Sequence, residues 1–259
     1  MTTLVSVERD DAIAVVTLNA PSKRNALSTA MLNELNDRLV ELLGDTGCRA
    51  IVLTGSGEHF CAGGDLSTMT RDRPILGSRQ RIEAAHRVIR VLTGGPKPVI
   101  AAVEGVAFGA GLSLAAACDT IVCSTSAKFA AVFTKVGLIP DMGSLWTIPQ
   151  RIGLSAAKRL FISGRTVSAD EALSMSLVDK VVEQGRSLAE AVALAKQFSQ
   201  SAPLAVAYMK SYYSKGSGTL DDALRTEMDV QPAMYLSLDH IEAVAAFMEK
   251  RPAPVFKGQ

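Results

Sequence analysis

Through the first half of the chain, short β-rich runs alternate with segments of helical periodicity, and no other feature restricts the fold as strongly. Residues 5–9 and 12–18 are β-rich runs that meet at Asp10-Asp11, which predicts a hairpin. Ser28 is placed to cap a helix in which Met31, Leu32, Leu35, Leu39, Leu42 and Leu43 recur at helical spacing until Gly44 stops it. A buried strand, RAIVLT, follows at residues 49–54. The next helix is predicted over residues 78–92, ended by Gly94-Gly95-Pro96 before a strand at residues 98–103. Gly111 opens a small-residue helix (GLSLAAAC), which leads to a strand at residues 120–123 and a loop carrying Phe129 and Phe133. Such alternation implies an α/β layered core. Beyond Asp141 the pattern turns helical, at residues 155–160, 169–175, 188–198 and 239–249, with little strand signal between. The expected organisation is a core over residues 1–190 and a helical region over residues 191–259.

Composition removes several classes of function. Lys plus Arg total 27 against 26 for Asp plus Glu, so a net charge of +1 supplies no field to recruit nucleic acid or an acidic membrane surface. The longest apolar stretches, such as residues 99–103, fall far short of the roughly 20 residues a membrane span needs. The opening MTTLVSVERDDAIAVV has acids where a secretory signal has bases and lacks the Arg-rich character of a transit peptide, so a mature, soluble, cytoplasmic protein is expected. Cys48, Cys61, Cys118 and Cys123 stand in apolar or Gly/Ala-rich surroundings. Although Cys118 and Cys123 form C-x4-C, no second pair completes a metal site, so buried reduced thiols and no metal are expected.

Two glycine-rich segments each follow a buried strand: FCAGGDL at residues 60–66 and GVAFGAGLSL at residues 105–114. Glycine lets backbone approach a ligand closely and leaves N–H groups free to donate, most of all where a helix begins. Side by side, two such loops could hold one oxyanion; each alone is as readily a tight turn. Dinucleotide binding fails on detail, because Leu114 stands at the third glycine of the phosphate fingerprint and Ala130 and Ala131 stand where an acid should bind the ribose. Neither a G-x-S-x-G elbow nor an H-E-x-x-H metal motif is present.

These loops, with SKRNAL at residues 22–27, KPVIAAVEGVAFGAGLSLAAACD at residues 97–119, AKFAAVFTKVGLIPD at residues 127–141 and GRTVSADEALSMSLVDKVV after Ser163, resemble successive blocks of the crotonase (enoyl-CoA hydratase/isomerase) superfamily. The likeness covers roughly residues 5–190. It implies a spiral of ββα units with a helical C-terminal trimerisation region, assembling as a homotrimer or a dimer of trimers. The implied partner is an acyl-CoA, whose coenzyme A belongs to the substrate, so no separate cofactor is expected. The likeness further implies that the backbone N–H groups of Gly64 and Ala110 hold the thioester oxygen. Lys23, Arg24 and Ala26, together with Ala62, Asp65, Leu66 and Ser67, become candidates for contact with coenzyme A; Lys23 and Arg24 are as readily a solvated turn.

Hydratases of this family use two glutamates, and here Ser113 and Phe133 stand at the matching positions, where they remain candidates only for substrate contact. One acid stands nearby, Asp141 in GLIPD, followed by Met142, Leu145 and Trp146. In a poorly solvated pocket its pKa would rise and suit it to proton shuttling; alternatively it caps a helix over residues 142–152. The pattern resembles the isomerase branch that includes 1,2-epoxyphenylacetyl-CoA isomerase of phenylacetate breakdown, departing from it at Ser144-Leu145. The expected activity is therefore double-bond migration, or epoxide opening, in a CoA thioester by a one-acid shuttle through Asp141. An atypical hydratase and a non-catalytic acyl-CoA-binding homologue are the alternatives.

Overall fold

Parallel strands need long crossovers, and the spacing of the apolar runs along this chain provides them. The computed structural model describes residues 3–68, 74–216 and 218–259. Strands β1 (Val5–Asp10) and β2 (Ile13–Leu18) form the predicted antiparallel hairpin, with Asp11 at φ 55° in the turn. Helix α1 (Thr29–Gly44) starts where Ser28 Oγ accepts the Met31 N–H at 3.1 Å. Strand β3 (Ala50–Gly55) then pairs parallel with β2, and helix α2 (Ile75–Gly94) leads to β4 (Val99–Val103), parallel to β3.

After β5 (Val106–Phe108) and α3 (Ala110–Ala116), β6 (Thr120–Ser124) joins the far side of β4. The remaining elements are β7 (Lys128–Ala130), α4 (Ser144–Ser163, broken at Gly153), β8 (Thr166–Ser168), α5 (Ala169–Ser174), β9 (Lys180–Val182), α6 (Ser187–Phe198), α7 (Pro203–Tyr213), α8 (Leu220–Tyr235) and α9 (Leu238–Met248). The main sheet runs β1-β2-β3-β4-β6-β9 and a second sheet runs β5-β7-β8. Four short strands thus exceed expectation: β5, β7 where a loop was predicted around Phe129, and β8 and β9 within the part read as helical. Phe133 lies in a 3-10 turn, Val132–Val136.

Both faces of the main sheet are covered, as a parallel sheet requires. Leu53, Ala101, Val103, Ile121 and Cys123 point into a core shared with α1, α2 and α3, whereas Val52, Ile100, Ala102 and Val122 meet Ala191 and Ala195 of α6. Residue 190 therefore falls inside a helix that packs on the sheet. Glu104, the residue after β4, fixes that helix: its carboxylate accepts the Gly185 and Ser187 N–H groups at 3.1 and 3.2 Å. Helix α7 returns to α2, where the buried Lys210 donates to the Leu92 carbonyl at 3.0 Å and to the Asp119 carboxylate. The same carboxylate accepts the Val99 N–H at 2.7 Å, so one acid ties a C-terminal helix to a central strand. No helix among the described residues is long and apolar enough to cross a membrane.

Candidate active site

The site is built first from the loop after β2. Asn25 is fully buried at φ 55°, a conformation asparagine tolerates better than most residues. Its side chain accepts the Ala20 N–H at 2.9 Å and donates to the Ser56 and His59 carbonyls at 2.9 and 2.7 Å. With the loop so pinned, the Arg24 carbonyl accepts the Ala62 N–H, Leu27 N–H donates to Gly63, and Asp65 N–H donates back to Leu27, at 2.9, 2.8 and 3.0 Å. This is one rung of a parallel ladder, and in such a rung Gly64 turns its own N–H to the opposite side. Asp65 is buried and holds the loop: it accepts from Ser67 N–H and Oγ at 3.1 and 2.6 Å and from Lys23 Nζ at 3.0 Å. The Ser67 hydroxyl, then Lys23, hold its pKa below the ordinary carboxylate value.

The second loop lies directly against the first. Cys61 N–H donates to Val106 and its carbonyl accepts from Phe108 N–H, both at 3.0 Å. A side chain at Gly111 would put Cβ 2.2 Å from the Cys61 carbonyl, and one at Gly63, already at φ 114°, 2.9 Å from the Phe108 carbonyl. Those contacts exclude any larger residue. The Cβ position of Gly63 is 3.8 Å from the Ala110 nitrogen, which measures how closely the two loops approach. Ala110 is the first residue of α3, so its N–H belongs to the helix end that has no intrahelical acceptor. Gly64 and Ala110 both line a cavity of about 100 Å³, whose side-chain lining is apolar, from Leu27, Leu32, Ile82, Ala85, Phe133 and Met142 among others, except for Arg81 and Asp141.

Asp141 stands on the wall of the same cavity and also of a larger outer one, lined in addition by Ser78, His86, Ile139, Pro140 and Leu145. It does not cap α4. Gly143, at φ 72°, holds the N-cap position, and only the backbone carbonyl of Asp141 takes part in the turn, accepting from Ser144 N–H and Oγ at 3.1 and 2.8 Å. Its Oδ1 is buried with no hydrogen-bond partner among the described residues. Burial pushes the Asp141 carboxyl above its ordinary value, opposed by the charges of Arg81 and His86. Met142 and Leu145 share its surroundings as expected, but Trp146 faces a separate cavity beside Lys210 and Arg151.

The other candidate residues divide by position. Ala62, Leu66 and Phe133 line the inner cavity. Ser113 is fully buried within α3 and its hydroxyl donates back to the Gly109 carbonyl at 3.3 Å, so it does not reach the cavity. Lys23, Arg24, Ala26 and Ser67 lie on the surrounding loops and not in the inner lining. Burial pushes the Cys61 thiol up to about 12, which leaves the one cysteine in these loops protonated and unreactive. Sequence reasoning misses Asn25 and Arg81, and from sequence His86, with no paired acid at recognisable spacing, reads as structural or solvated. The last two had a signal, since Ser78, Arg81, Ile82, Ala85 and His86 recur on one face of α2.

A family profile described as enoyl-CoA hydratase/isomerase matches residues 8–259, so the likeness runs through the C-terminal helices as well. The chain is 35% identical over 257 residues to the short-chain-enoyl-CoA hydratase of Clostridium acetobutylicum, covering 98% of each chain. It is equally 35% identical to the 1,2-epoxyphenylacetyl-CoA isomerase of Escherichia coli, covering 96% of this chain and 97% of the relative. Among solved structures, the enoyl-CoA hydratase of Polaromonas sp. JS666 superposes with a TM-score of 0.92 at 34% identity, covering 97% of this chain and 99% of that one.

The raised Asp141 carboxyl has a consequence for stability. The folded protein holds this proton more tightly than the unfolded chain does. The contribution to stability is therefore complete below the ordinary value of 3.8 and is lost as pH rises through the folded value. Asp141→Asn removes that loss. At pH 7 the variant is expected to melt above the parent protein, with the difference shrinking as the buffer is acidified toward 3.8. Melting curves in which the variant is the less stable protein at neutral pH would contradict the assignment.

Proposed function

The chain belongs to the enoyl-CoA hydratase/isomerase family, and within it we propose an isomerase that moves a double bond, or opens an epoxide, in a CoA thioester through an enolate. One observation carries the preference: Asp141, the one carboxylate among the described residues on the cavity of the two N–H groups, is half-buried with its Oδ1 buried and unpartnered, while Ser113 and Phe133 stand where the family resemblance places two glutamates. A phenyl ring transfers no proton, and the Ser113 hydroxyl is turned into its own helix.

The chemistry follows from that geometry. A 3-enoyl thioester with its carbonyl oxygen between the Gly64 and Ala110 N–H groups loses an α-proton to Asp141. The electron pair spreads to the oxygen, where each backbone donor contributes about 2.7–4 kcal/mol in comparable oxyanion holes. Asp141 then returns the proton at the γ-carbon, and the double bond ends conjugated with the thioester. A raised carboxyl pKa narrows the gap to the carbon acid and suits one group to both transfers. The isomerase from Escherichia coli among the relatives supports epoxide opening as an equivalent use of the same enolate, and the relatives named hydratases favour water addition as the second reading.

Assembly into trimers, or dimers of trimers, is part of the same proposal. Helix α8 buries none of its residues, and Leu236 and Phe247 are 79% and 82% exposed, beside the exposed Leu238 and Met248. An apolar surface of this kind is normally covered by a partner. Light scattering is expected to give a trimer or hexamer mass, and a monomer at micromolar concentration would refute it.

Two substitutions test the catalytic assignment. Proline at the first position of a helix fits the helix geometry but carries no N–H, so Ala110→Pro is expected to abolish turnover, while Ala110→Gly retains most of it. A folded proline variant within tenfold of the parent rate would move the second donor elsewhere. Asp141→Asn keeps the size of the side chain and removes the proton carrier. Isomerisation of a 3-enoyl-CoA is expected to fall by about 10²- to 10⁴-fold with little change in thioester binding, measured by steady-state kinetics and calorimetry. Near-parent exchange of substrate α-protons with deuterated solvent would exclude Asp141 as the carrier.

A further inference from the structure

We infer that His86 is a second proton-transfer residue of this site, and that with Asp141 it gives the enzyme a capacity to add water to a 2-enoyl thioester without either family glutamate. The inference rests on the reading of the Gly64 and Ala110 cavity as an enolate site. Its own observations are separate. His86 and Asp141 line one outer cavity, and the imidazole is near enough for its charge to act on the Asp141 carboxylate. The contact between their elements is close: the Cβ position of Gly143 lies 3.1 Å from Cγ2 of Ile89, one turn beyond His86 on α2. Two protein groups on opposite elements therefore flank the space outside the inner cavity. One is a carboxyl biased by burial toward holding a proton, and the other is an imidazole, whose unprotonated ring nitrogen can accept one.

Arg81 is the other charged group on this wall, but a guanidinium keeps its proton and cannot serve as a base. It also donates to the Leu27 carbonyl at 3.3 Å, which places it as part of the frame. Ser78 completes the polar lining, and no further acid from α2 or from the loop before α4 lines this cavity among the described residues. The division of labour that two glutamates perform elsewhere in the family thus falls to His86 and Asp141.

The step balances. In the fraction of enzyme whose His86 imidazole is uncharged, water loses a proton to that imidazole as its oxygen bonds to the β-carbon, and the π pair moves to the thioester oxygen held by the Gly64 and Ala110 N–H groups. The enolate then takes a proton at the α-carbon from protonated Asp141. The imidazolium returns one proton through water to the Asp141 carboxylate. One water has been added and both groups are restored.

The test follows hydration of 2-hexenoyl-CoA and isomerisation of 3-hexenoyl-CoA by the intact protein, by His86→Gln and by Asp141→Asn. The quantity read is the ratio of the two rates, in which any general loss of folding or binding cancels. The parent protein is expected to hydrate, and His86→Gln to lower the ratio of hydration to isomerisation at least about 100-fold, the scale of a lost general base. Asp141→Asn is expected to lose both reactions. A ratio unchanged in His86→Gln would make the imidazole an electrostatic neighbour only and overturn the inference. A parent protein that isomerises without hydrating would overturn it as well and leave the isomerase reading standing, whereas one that hydrates without isomerising would remove the isomerase reading instead.

Discussion

The structure depends on a backbone contact. Cys61 exchanges hydrogen bonds with Val106 and Phe108, and the contact is so close that Gly63 and Gly111 admit no side chain. Because main chain meets main chain, the two N–H groups at Gly64 and Ala110 are held by the two sheets and not by rotamers. Electrostatic stabilisation of an oxyanion is most effective when the donors need no rearrangement as charge develops. The requirement reaches outward: Asn25 must sit at positive φ to bring the Arg24 and Leu27 backbone against the first loop, and β7 must supply the Ala130 carbonyl that receives the Gly109 N–H at 2.8 Å.

Against that rigid frame stands Asp141, half-buried and with one buried, unpartnered oxygen, a condition that costs stability. Helix α2 supplies a partial offset in Arg81 and His86, whose charges favour the ionised form while burial opposes it more strongly. A carboxylate fully paired with an arginine would be more comfortable and would be a poorer base. The fold thus raises the pKa of this acid by surrounding it with apolar residues from α2 and from the loop before α4.

The legible part of the fold was that in which signals are local. The hairpin turn at Asp10-Asp11, the Ser28 cap and the glycine stop at Gly44 each lie within a few residues of what they control. Strands β5, β7, β8 and β9 are three residues each, too short to show a period, and they exist because neighbouring strands supply their hydrogen bonds. Helices α7 and α8 went unread, the latter because its apolar residues have no core to face within this chain. In the site, Gly64, Ala110 and Asp141 were reached through family resemblance. Arg81 and His86 were not, because they come to Asp141 across 60 and 55 residues of sequence, as subtraction of their numbers from 141 shows. The cap at Asp141 was plausible locally and fails because Gly143, two residues on, takes the left-handed turn that starts α4.

Strand order carries a consequence for the making of the protein. The edge partner of β6 is β9, so the outer edge of β6 waits for residues 180–182, which are synthesised 56 residues after Ser124, the difference between 180 and 124. At about 5–20 residues per second a ribosome needs roughly 3–11 seconds to cover that interval. Until then Val122 and Cys123 lack the backbone partners that β9 supplies, and an unpaired edge is the kind that recruits other chains. A strand of only three residues, contributing little area of its own, therefore closes an edge that the preceding strands leave open.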